Sequence, residues 1–193
     1  DEYCYPYPKD KLPFPDDTSY AAYKARLGTT AASAMDKDTW RRDNIDKFVE
    51  RLYREVKATK PQVLVGISPF GIWRPGNPAS VKGFDAFAKL NADSRKWLVE
   101  GWCDYMSPQL YWKTEAKEQR FDALYAWWSA NNPKNRHLWP GLYTSRILPE
   151  KAAPAAKPAD AGGAGGTSKE SWAPSDIVRQ LEITTTKRPA SDA

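Results

Sequence analysis

Aromatic, amide and guanidinium side chains recur in this sequence directly after short apolar segments of the kind that form β-strands. The apolar run 62–67 shows the pattern most clearly, because Trp73 and Arg74 follow it with a flat ring beside a fork of hydrogen-bond donors. Sugars present C–H faces to rings and hydroxyl groups to polar side chains, so this set suits a saccharide-binding cleft. The candidate residues at the segment ends are Asp1, Glu2, Tyr3, Ser68, Trp73, Arg74, Gln109, Tyr111, Trp112, Tyr143, Ser145 and Arg146.

A simpler interpretation of these rings is structural. Trp73 suits a loop side chain that covers the hydrophobic core, in a loop shaped by Pro69 and Gly71. Tyr111 and Trp112 are neighbours on a strand-like segment, and neighbouring side chains on a strand point to opposite faces. We therefore expect at most one of these two rings to face a cleft, with the other in the wall.

Apolar residues at helical spacing predict the helices that must position these segment ends. The clearest helix covers 43–59, with Asp43 as its N-cap and an inward apolar face that runs from Ile45 to Val56 and includes Phe48 and Leu52. Further helices are predicted over 92–100, with Gly101 at the C-terminal cap, over 117–130, and from Pro174 or Ser175 onward with Ile177, Val178 and Leu181 inward. Residues 9–40 are predicted to be loop-like, with a short helix over 20–27.

Apolar runs between the helices predict strands over 62–67, 103–111 and 138–143, and residues 1–8 resemble the end of a further strand. We expect the run 62–67 to be buried on both faces, as in parallel sheets. Helix-length crossovers imply parallel strands and an α/β fold. Three strands and a stub do not close a (β/α)8 barrel, which takes about 250 residues, so the pattern fits a small open sheet or half of a barrel.

Composition favours one globular domain and gives little sign of other chemistry. The chain has 193 residues and a net charge of +5 with interleaved signs, so a nucleic-acid binder is suggested only by the charge. Cys4 and Cys103 lack metal-site spacing and are expected to be buried thiols, although one disulfide stays open. No metal site or cofactor is predicted, and His137 is expected to be structural. Residues 151–170, rich in Ala, Pro, Gly and Lys, are predicted to form a flexible low-complexity insertion.

Several multi-residue blocks together resemble the glycosyl hydrolase-like 10 family. They are 41–45, 66–75 (Gly66-Ile-Ser-Pro-Phe-Gly-Ile-Trp-Arg-Pro75), 92–97, 100–102, 108–112 (Pro108-Gln-Leu-Tyr-Trp112) and 140–143. The resemblance implies a (β/α)8 TIM barrel that acts on glycosidic bonds of bacterial polysaccharides. Asp1-Glu-Tyr3 then matches the end of the fourth strand, and the predicted strands are the fifth to the seventh. The chain resembles only the C-terminal half of that domain, as one fragment of a partial barrel.

Glycoside hydrolysis uses two carboxyl groups, about 5 Å apart for retention and up to about 9 Å apart for inversion. The resemblance implies Asp1 and Glu2 as catalytic residues, but adjacent side chains on a strand diverge. We therefore favour Asp1, with its partner elsewhere, since Glu2 replaces the second Asp usual in the family. Asp85 and Glu115 lie in suitable loops and match no family motif, whereas Asp104 lies early in its strand and is expected to be structural.

The resulting hypothesis is a glycoside hydrolase that acts on a cell-wall or extracellular polysaccharide, in a parent protein that is extracellular, periplasmic or in the cell envelope. The alternative is a non-catalytic carbohydrate-binding barrel, because the second carboxylate is not located. A partial barrel has an open sheet edge and an uncovered inner face, so we expect the chain alone to be inactive and either poorly stable or prone to associate.

Overall fold

A computed structural model describes residues 4–8, 12–28, 34–147 and 172–186, and all structural statements concern this part of the chain. Asp1, Glu2, Tyr3 and the segment 151–170 lie outside it. The helices are α1 (Asp17–Leu27), α2 (Lys37–Thr59), α3 (Ala86–Lys89), α4 (Ser94–Glu100), α5 (Phe121–Ala130) and α6 (Pro174–Thr186), and the strands are β1 (Gly66–Ile67), β2 (Tyr105–Met106) and β3 (His137–Leu138). None of these helices is long and apolar enough to cross a membrane.

The three strands form a parallel sheet in the order β1-β2-β3. Tyr105 is the partner of Gly66 on one side and of His137 on the other. Beyond the strands, single bridges join Gln109 to Phe70 and to Gly141. The predicted α/β fold with parallel strands is confirmed, although each strand is shorter than its predicted range. The carboxyl ends of all three strands meet at one edge of the sheet.

The prediction that 62–67 is buried on both faces is wrong. Val63 and Leu64 are exposed, and only Gly66 and Ile67 form β1. Among the described strands, β1 pairs with β2 alone, so it lies at the margin of the sheet. A strand that pairs with a neighbour on one side only is less buried than the apolar composition of the run 62–67 suggests.

Helix α2 begins at Lys37 rather than at the predicted Asp43. Its N-cap is Asp36, whose side chain accepts hydrogen bonds from the backbone N–H groups of Asp38 and Thr39. Asp43 instead forms an ion pair with Lys47 one turn later, at 2.6 Å. The additional turns of α2 lie next to the start of α1 and form ion pairs with it that the local sequence does not predict.

The partner of these turns is the buried carboxylate of Asp16, just before α1. Arg41 donates to it through Nε and Nη2 at 2.8 and 2.7 Å, and Lys37 lies 2.9 Å away. The hydrogen bonds from Arg41 are the main reason that the pKa of Asp16 falls below its usual value. This ion pair fastens α1 to α2.

The predicted inward faces of two helices are partly wrong. Phe48 and Leu52 on α2 are exposed, while Val49 is buried. On α6, Val178 and Leu181 are exposed, and the fully buried side chain is Gln180. Helical spacing identifies apolar stripes, but the neighbouring elements decide which stripe is covered.

Helix α4 follows the prediction closely. Gly101 ends it in a left-handed conformation with φ of 75°, which favours glycine. Its Trp97 and Leu98 are buried in one core with Met106 on β2 and Leu138 on β3. This core fills the space between the helices and one face of the sheet.

The Asp104 carboxylate joins three segments at the amino end of the sheet. It accepts a hydrogen bond from Val65 N–H before β1 at 2.8 Å and from the Tyr53 hydroxyl on α2 at 3.2 Å, and Lys57 Nζ lies 2.6 Å away. Burial alone would raise the pKa of Asp104, but the hydrogen bonds from Lys57, Val65 and Tyr53 outweigh burial and lower it. Asp104 therefore has the structural role expected for it.

Replacement of this carboxylate tests its role. We expect Asp104→Asn to lower the free energy of unfolding by about 1–3 kcal/mol at pH 7, because it leaves Lys57 without its anion. Since the folded pKa is lowered, the stabilisation is present above the unfolded pKa of about 3.9 and is lost as the pH falls through the folded pKa. Urea unfolding at pH 7 and at pH 3 measures the difference. Glu55→Gln removes an exposed ion pair and should change stability by less than about 0.5 kcal/mol.

The margin of β1 carries apolar surface that predicts self-association. A cavity of about 310 Å³ lies between α2 and β1, with Phe48, Leu52 and Ile67 in its lining. We expect the chain to associate at increasing concentration and Phe48→Gln with Leu52→Gln to reduce association. Sedimentation velocity measures this, with Lys47→Gln and Arg51→Gln as a control that keeps the apolar side chains. A monomeric wild-type chain at all concentrations would contradict the prediction.

Candidate functional site

The two faces of the sheet differ in chemistry. Met106 and Leu138 are buried against the helices, whereas Tyr105, His137 and Trp139 lie on the other face, as the alternation of strand side chains requires. The ring of Trp139 lies 4.9 Å from that of Tyr105 and 5.0 Å from that of His137. An aromatic surface therefore runs along this face towards the carboxyl ends of the strands.

Four of the predicted site residues come together where the strands end. Gln109 Nε2 donates to the carbonyl oxygen of Ser68 at 3.2 Å, which joins the ends of β1 and β2. The rings of Tyr111 and Tyr143 lie 5.3 Å apart at an angle of 49°. Gly141 allows this approach, since a Cβ there would lie 3.2 Å from the ring of Tyr111. We call Ser68, Gln109, Tyr111 and Tyr143 the strand-end cluster.

The neighbours Tyr111 and Trp112 separate as expected. Tyr111 is 40% exposed, and its partial burial, followed by the charge of Tyr143, raises the pKa of its hydroxyl. Trp112 packs edge-on against Phe70 and against the core. Tyr111 is therefore the more exposed of the two rings, and Trp112 belongs to the wall.

Trp73 and Arg74 have different neighbours from the strand-end cluster. The indole N–H of Trp73 donates to Asp93 at 2.9 Å, and its ring stacks on Trp127 of α5. Arg74 lies over the ring of Phe87 on α3. The structure therefore groups these two residues with the helices rather than with Tyr111 and Tyr143.

The predicted catalytic residues Asp1 and Glu2, together with Tyr3, lie outside the described residues. Of the other acidic candidates, Asp85 caps α3 by accepting from Ala88 N–H and lies 3.5 Å from Arg74 Nε. Glu115 pairs with Arg179 on α6 and accepts from the Thr114 hydroxyl at 2.7 Å. The hydrogen bond from Thr114 is the main cause that lowers the pKa of Glu115. Both carboxylates hold local structure.

Sequence reasoning missed two residues near the cluster. Trp139 is half-exposed on the aromatic face, and the two-residue spacing of His137, Trp139, Gly141 and Tyr143 would have indicated it. Gln180 had no such signal, because a polar residue on an amphipathic helix is usually exposed.

Gln180 contacts the turn that carries Tyr111 of the strand-end cluster. Its fully buried side chain donates from Nε2 to the carbonyl oxygen of Trp112 at 2.9 Å. Lys113 lies 3.6 Å from Asp176 on the same helix. Helix α6 is thus fastened to the turn that carries Tyr111.

The described residues contain no group of three or more His, Cys, Asp or Glu side chains that could hold a metal ion. Cys103 is a buried thiol, as expected, whereas Cys4 is only partly buried. Burial raises the pKa of Cys103 to about 12, so this thiol stays protonated at neutral pH.

Comparison with known proteins identifies a family and several relatives that this chain resembles. The model of the glycosyl hydrolase-like 10 family matches residues 1–156. The chain is 40% identical over 154 residues to glycosyl hydrolase YngK of Bacillus subtilis, which covers 76% of this chain and 29% of that protein. It is 32% identical over 132 residues to glycosyl hydrolase DigH of Escherichia coli K12, which covers 66% of this chain and 28% of that protein. The chain spans less than a third of these relatives.

The buried amide of Gln180 makes a pH-dependent prediction. A glutamic acid at this position donates to the Trp112 carbonyl only when it is protonated, and burial raises its folded pKa above the unfolded value of about 4.3. We therefore expect Gln180→Glu to be close to wild-type stability near pH 4 and to lose stability as the pH rises to 8. Gln180→Met, which has no donor, should cost about 1–3 kcal/mol with little dependence on pH.

Urea unfolding of both variants between pH 4 and pH 8 measures this difference relative to wild type. Leu181→Glu places the same charge on the exposed neighbouring position and serves as the control. If Gln180→Glu and Leu181→Glu respond alike to pH, the hydrogen bond to Trp112 does not support the turn.

Proposed function

Since this chain belongs to the glycosyl hydrolase-like 10 family, we propose that it forms part of the saccharide-binding cleft of a glycoside hydrolase. The observation that carries the proposal is the pair of rings Tyr111 and Tyr143 beside Gln109, at the carboxyl edge of a parallel sheet. In α/β folds this edge is the usual position of a binding site.

The strand-end cluster has the chemistry that sugars require. The exposed part of Tyr111 offers a flat apolar face for sugar C–H groups. The amide of Gln109 and the two phenol groups donate and accept hydrogen bonds with sugar hydroxyls. Trp139 lies on the same face of the sheet, two residues before Gly141, and would form the floor of the cleft.

We further propose that the three strands are the fifth to seventh of a (β/α)8 barrel in a longer protein. The parallel order of the strands and the greater length of the relatives support this placement. Tyr105, His137 and Trp139 would then point into the barrel, where side chains fill the interior in layers. The chain alone would lack the other strands and would be inactive.

In the proposed reaction, one carboxylic acid protonates the glycosidic oxygen while a carboxylate acts as base or nucleophile. Asp1 is the proposed catalytic carboxyl group in this chain, with Glu2 beside it and the partner elsewhere in the longer protein. The proposed substrate is a bacterial cell-wall or extracellular polysaccharide, and the parent protein would work outside the cytoplasm or in the cell envelope.

The second candidate function is carbohydrate binding without hydrolysis. It is favoured by the roles of Asp85 and Glu115, because each is occupied in holding local structure. A barrel without a second available carboxylate would bind a glycan and leave it intact.

One experiment separates the two functions. In the longer protein, we expect Asp1→Asn to lower the release of reducing ends from bacterial cell-wall glycan by at least about 100-fold, because acid–base groups contribute on this scale. Binding of the glycan should persist in this variant. Wild-type protein that binds the glycan but releases no reducing ends would establish the non-catalytic function, and unchanged turnover in the variant would remove Asp1 from the mechanism.

The aromatic pair makes its own prediction for the same protein. We expect Tyr111→Ala to weaken glycan binding about tenfold, since loss of one stacked ring costs about 1–1.5 kcal/mol. Tyr111→Phe keeps the ring and should lose less. Isothermal titration calorimetry measures both, and wild-type affinity in Tyr111→Ala would place the cleft elsewhere.

A further inference from the structure

Three arginines and two aromatic rings form a continuous surface apart from the strand-end cluster. The guanidinium carbons of Arg42 and Arg74 lie 4.4 and 4.6 Å from the centre of the Phe87 ring. Those of Arg74 and Arg95 lie 5.9 and 5.6 Å from the Trp73 ring. The two rings meet edge to face with their centres 5.6 Å apart. We call these five residues the arginine surface.

The rings hold the guanidinium groups in place. A guanidinium group that stacks on an aromatic face loses less freedom when it binds an anion, and it keeps its edge N–H donors available. The Trp73 ring is itself fixed by its hydrogen bond to Asp93 and by its stacking on Trp127. The surface therefore has the preorganised donors that recognise carboxylate oxygens in pairs.

Two of the three arginines, Arg42 and Arg95, form no ion pair within 4 Å in the described part of the chain. The nearby Asp36 carboxylate caps α2 and acts on Arg42 through its charge. Arg42 donates to the hydroxyl of Thr39 at 3.3 Å, and Arg95 donates to the side-chain oxygen of Asn131 at 2.7 Å. Both acceptors are neutral, so neither neutralises its arginine. Ion pairs occupy other charged residues of the same helices, such as Lys47 with Asp43.

Two further acidic groups near the surface have other roles. Asp85 caps α3 and lies 3.5 Å from Arg74 Nε, a long contact for an ion pair. Asp93 accepts from Trp73 beneath the surface, and burial raises the pKa of its carboxyl group. The arginine surface therefore has a net positive charge above its two aromatic rings.

We propose that the arginine surface binds a carboxylate-bearing polysaccharide outside the cleft. Three guanidinium groups over two adjacent rings present several donors side by side, which suits a ligand with more than one carboxylate. The surface would hold an acidic glycan chain while the strand-end cluster binds a sugar unit of the same or another chain. The glycan nature of the ligand rests on the proposed function, whereas its negative charge follows from the arginines.

A matched pair of polymers tests the charge requirement. Polygalacturonate carries a carboxylate on each sugar, and its methyl-esterified form has the same backbone without the charge. We expect the 193-residue chain to bind the first at least tenfold more tightly than the second, as measured by biolayer interferometry at 50 mM and 200 mM salt. Equal binding of the two polymers, or binding of neither, would overturn the proposal.

Two double variants test the location. We expect Arg42→Gln with Arg95→Gln to weaken binding of polygalacturonate at least tenfold and to keep the wild-type melting temperature. Arg51→Gln with Arg54→Gln removes the same charge from exposed positions of α2 and should change affinity less than twofold. An equal loss in both variants would show binding by net charge alone and would overturn the proposal.

The remaining outcomes separate this surface from nucleic-acid binding and from the cleft. Tighter binding of a single-stranded DNA of equal charge, lost in the same Arg42 and Arg95 variant, would overturn the glycan assignment. In the longer protein, that variant should keep the wild-type kcat on a short neutral oligosaccharide. If no neutral glycan is hydrolysed, the proposed function fails while the binding of polygalacturonate still decides the role of the arginine surface.

Discussion

The Asp104 carboxylate is the contact on which the arrangement of the sheet depends. It binds α2 through Lys57 and Tyr53 and the start of β1 through the N–H of Val65, while its own backbone leads into β2. Parallel strands do not share a tight turn, so their relative register must be set by contacts of this kind. With the amino ends fixed, the carboxyl ends of the strands arrive together, and the strand-end cluster follows from that alignment.

The distribution of aromatic residues follows from the same alignment. Alternate residues of each strand face opposite sides, so the helices cover Met106 and Leu138 while Tyr105 and Trp139 line the other face. A second group of rings, Trp73 and Phe87, lies among the helices and supports arginines. Rings that look alike in composition therefore lie in two different surroundings, which their neighbours determine.

Helix α6 shows how a distant segment supports the site. Its single fully buried side chain is an amide, and that amide binds a backbone carbonyl next to Tyr111. The buried Nε2 donor of Gln180 finds its acceptor in the Trp112 carbonyl, and this bond favours one position of the helix against the turn. Packing of Tyr143 against Trp172, just before α6, adds a second contact at the same end of the sheet.

The sequence by itself determined the alternation of helices and strands, the glycine that ends α4, the family likeness and the separation of Tyr111 from Trp112. These features depend on spacing along one segment, which periodicity reports directly. Only the tertiary structure decided where α2 begins, since Asp36 and the ion pair of Asp16 with Arg41 replace the expected cap at Asp43. It also decided that Phe48 is exposed, that Gln180 is buried and that Trp73 stacks among helices. The physical reason is that burial and side-chain direction depend on which segments pack together, and one segment does not specify its partners.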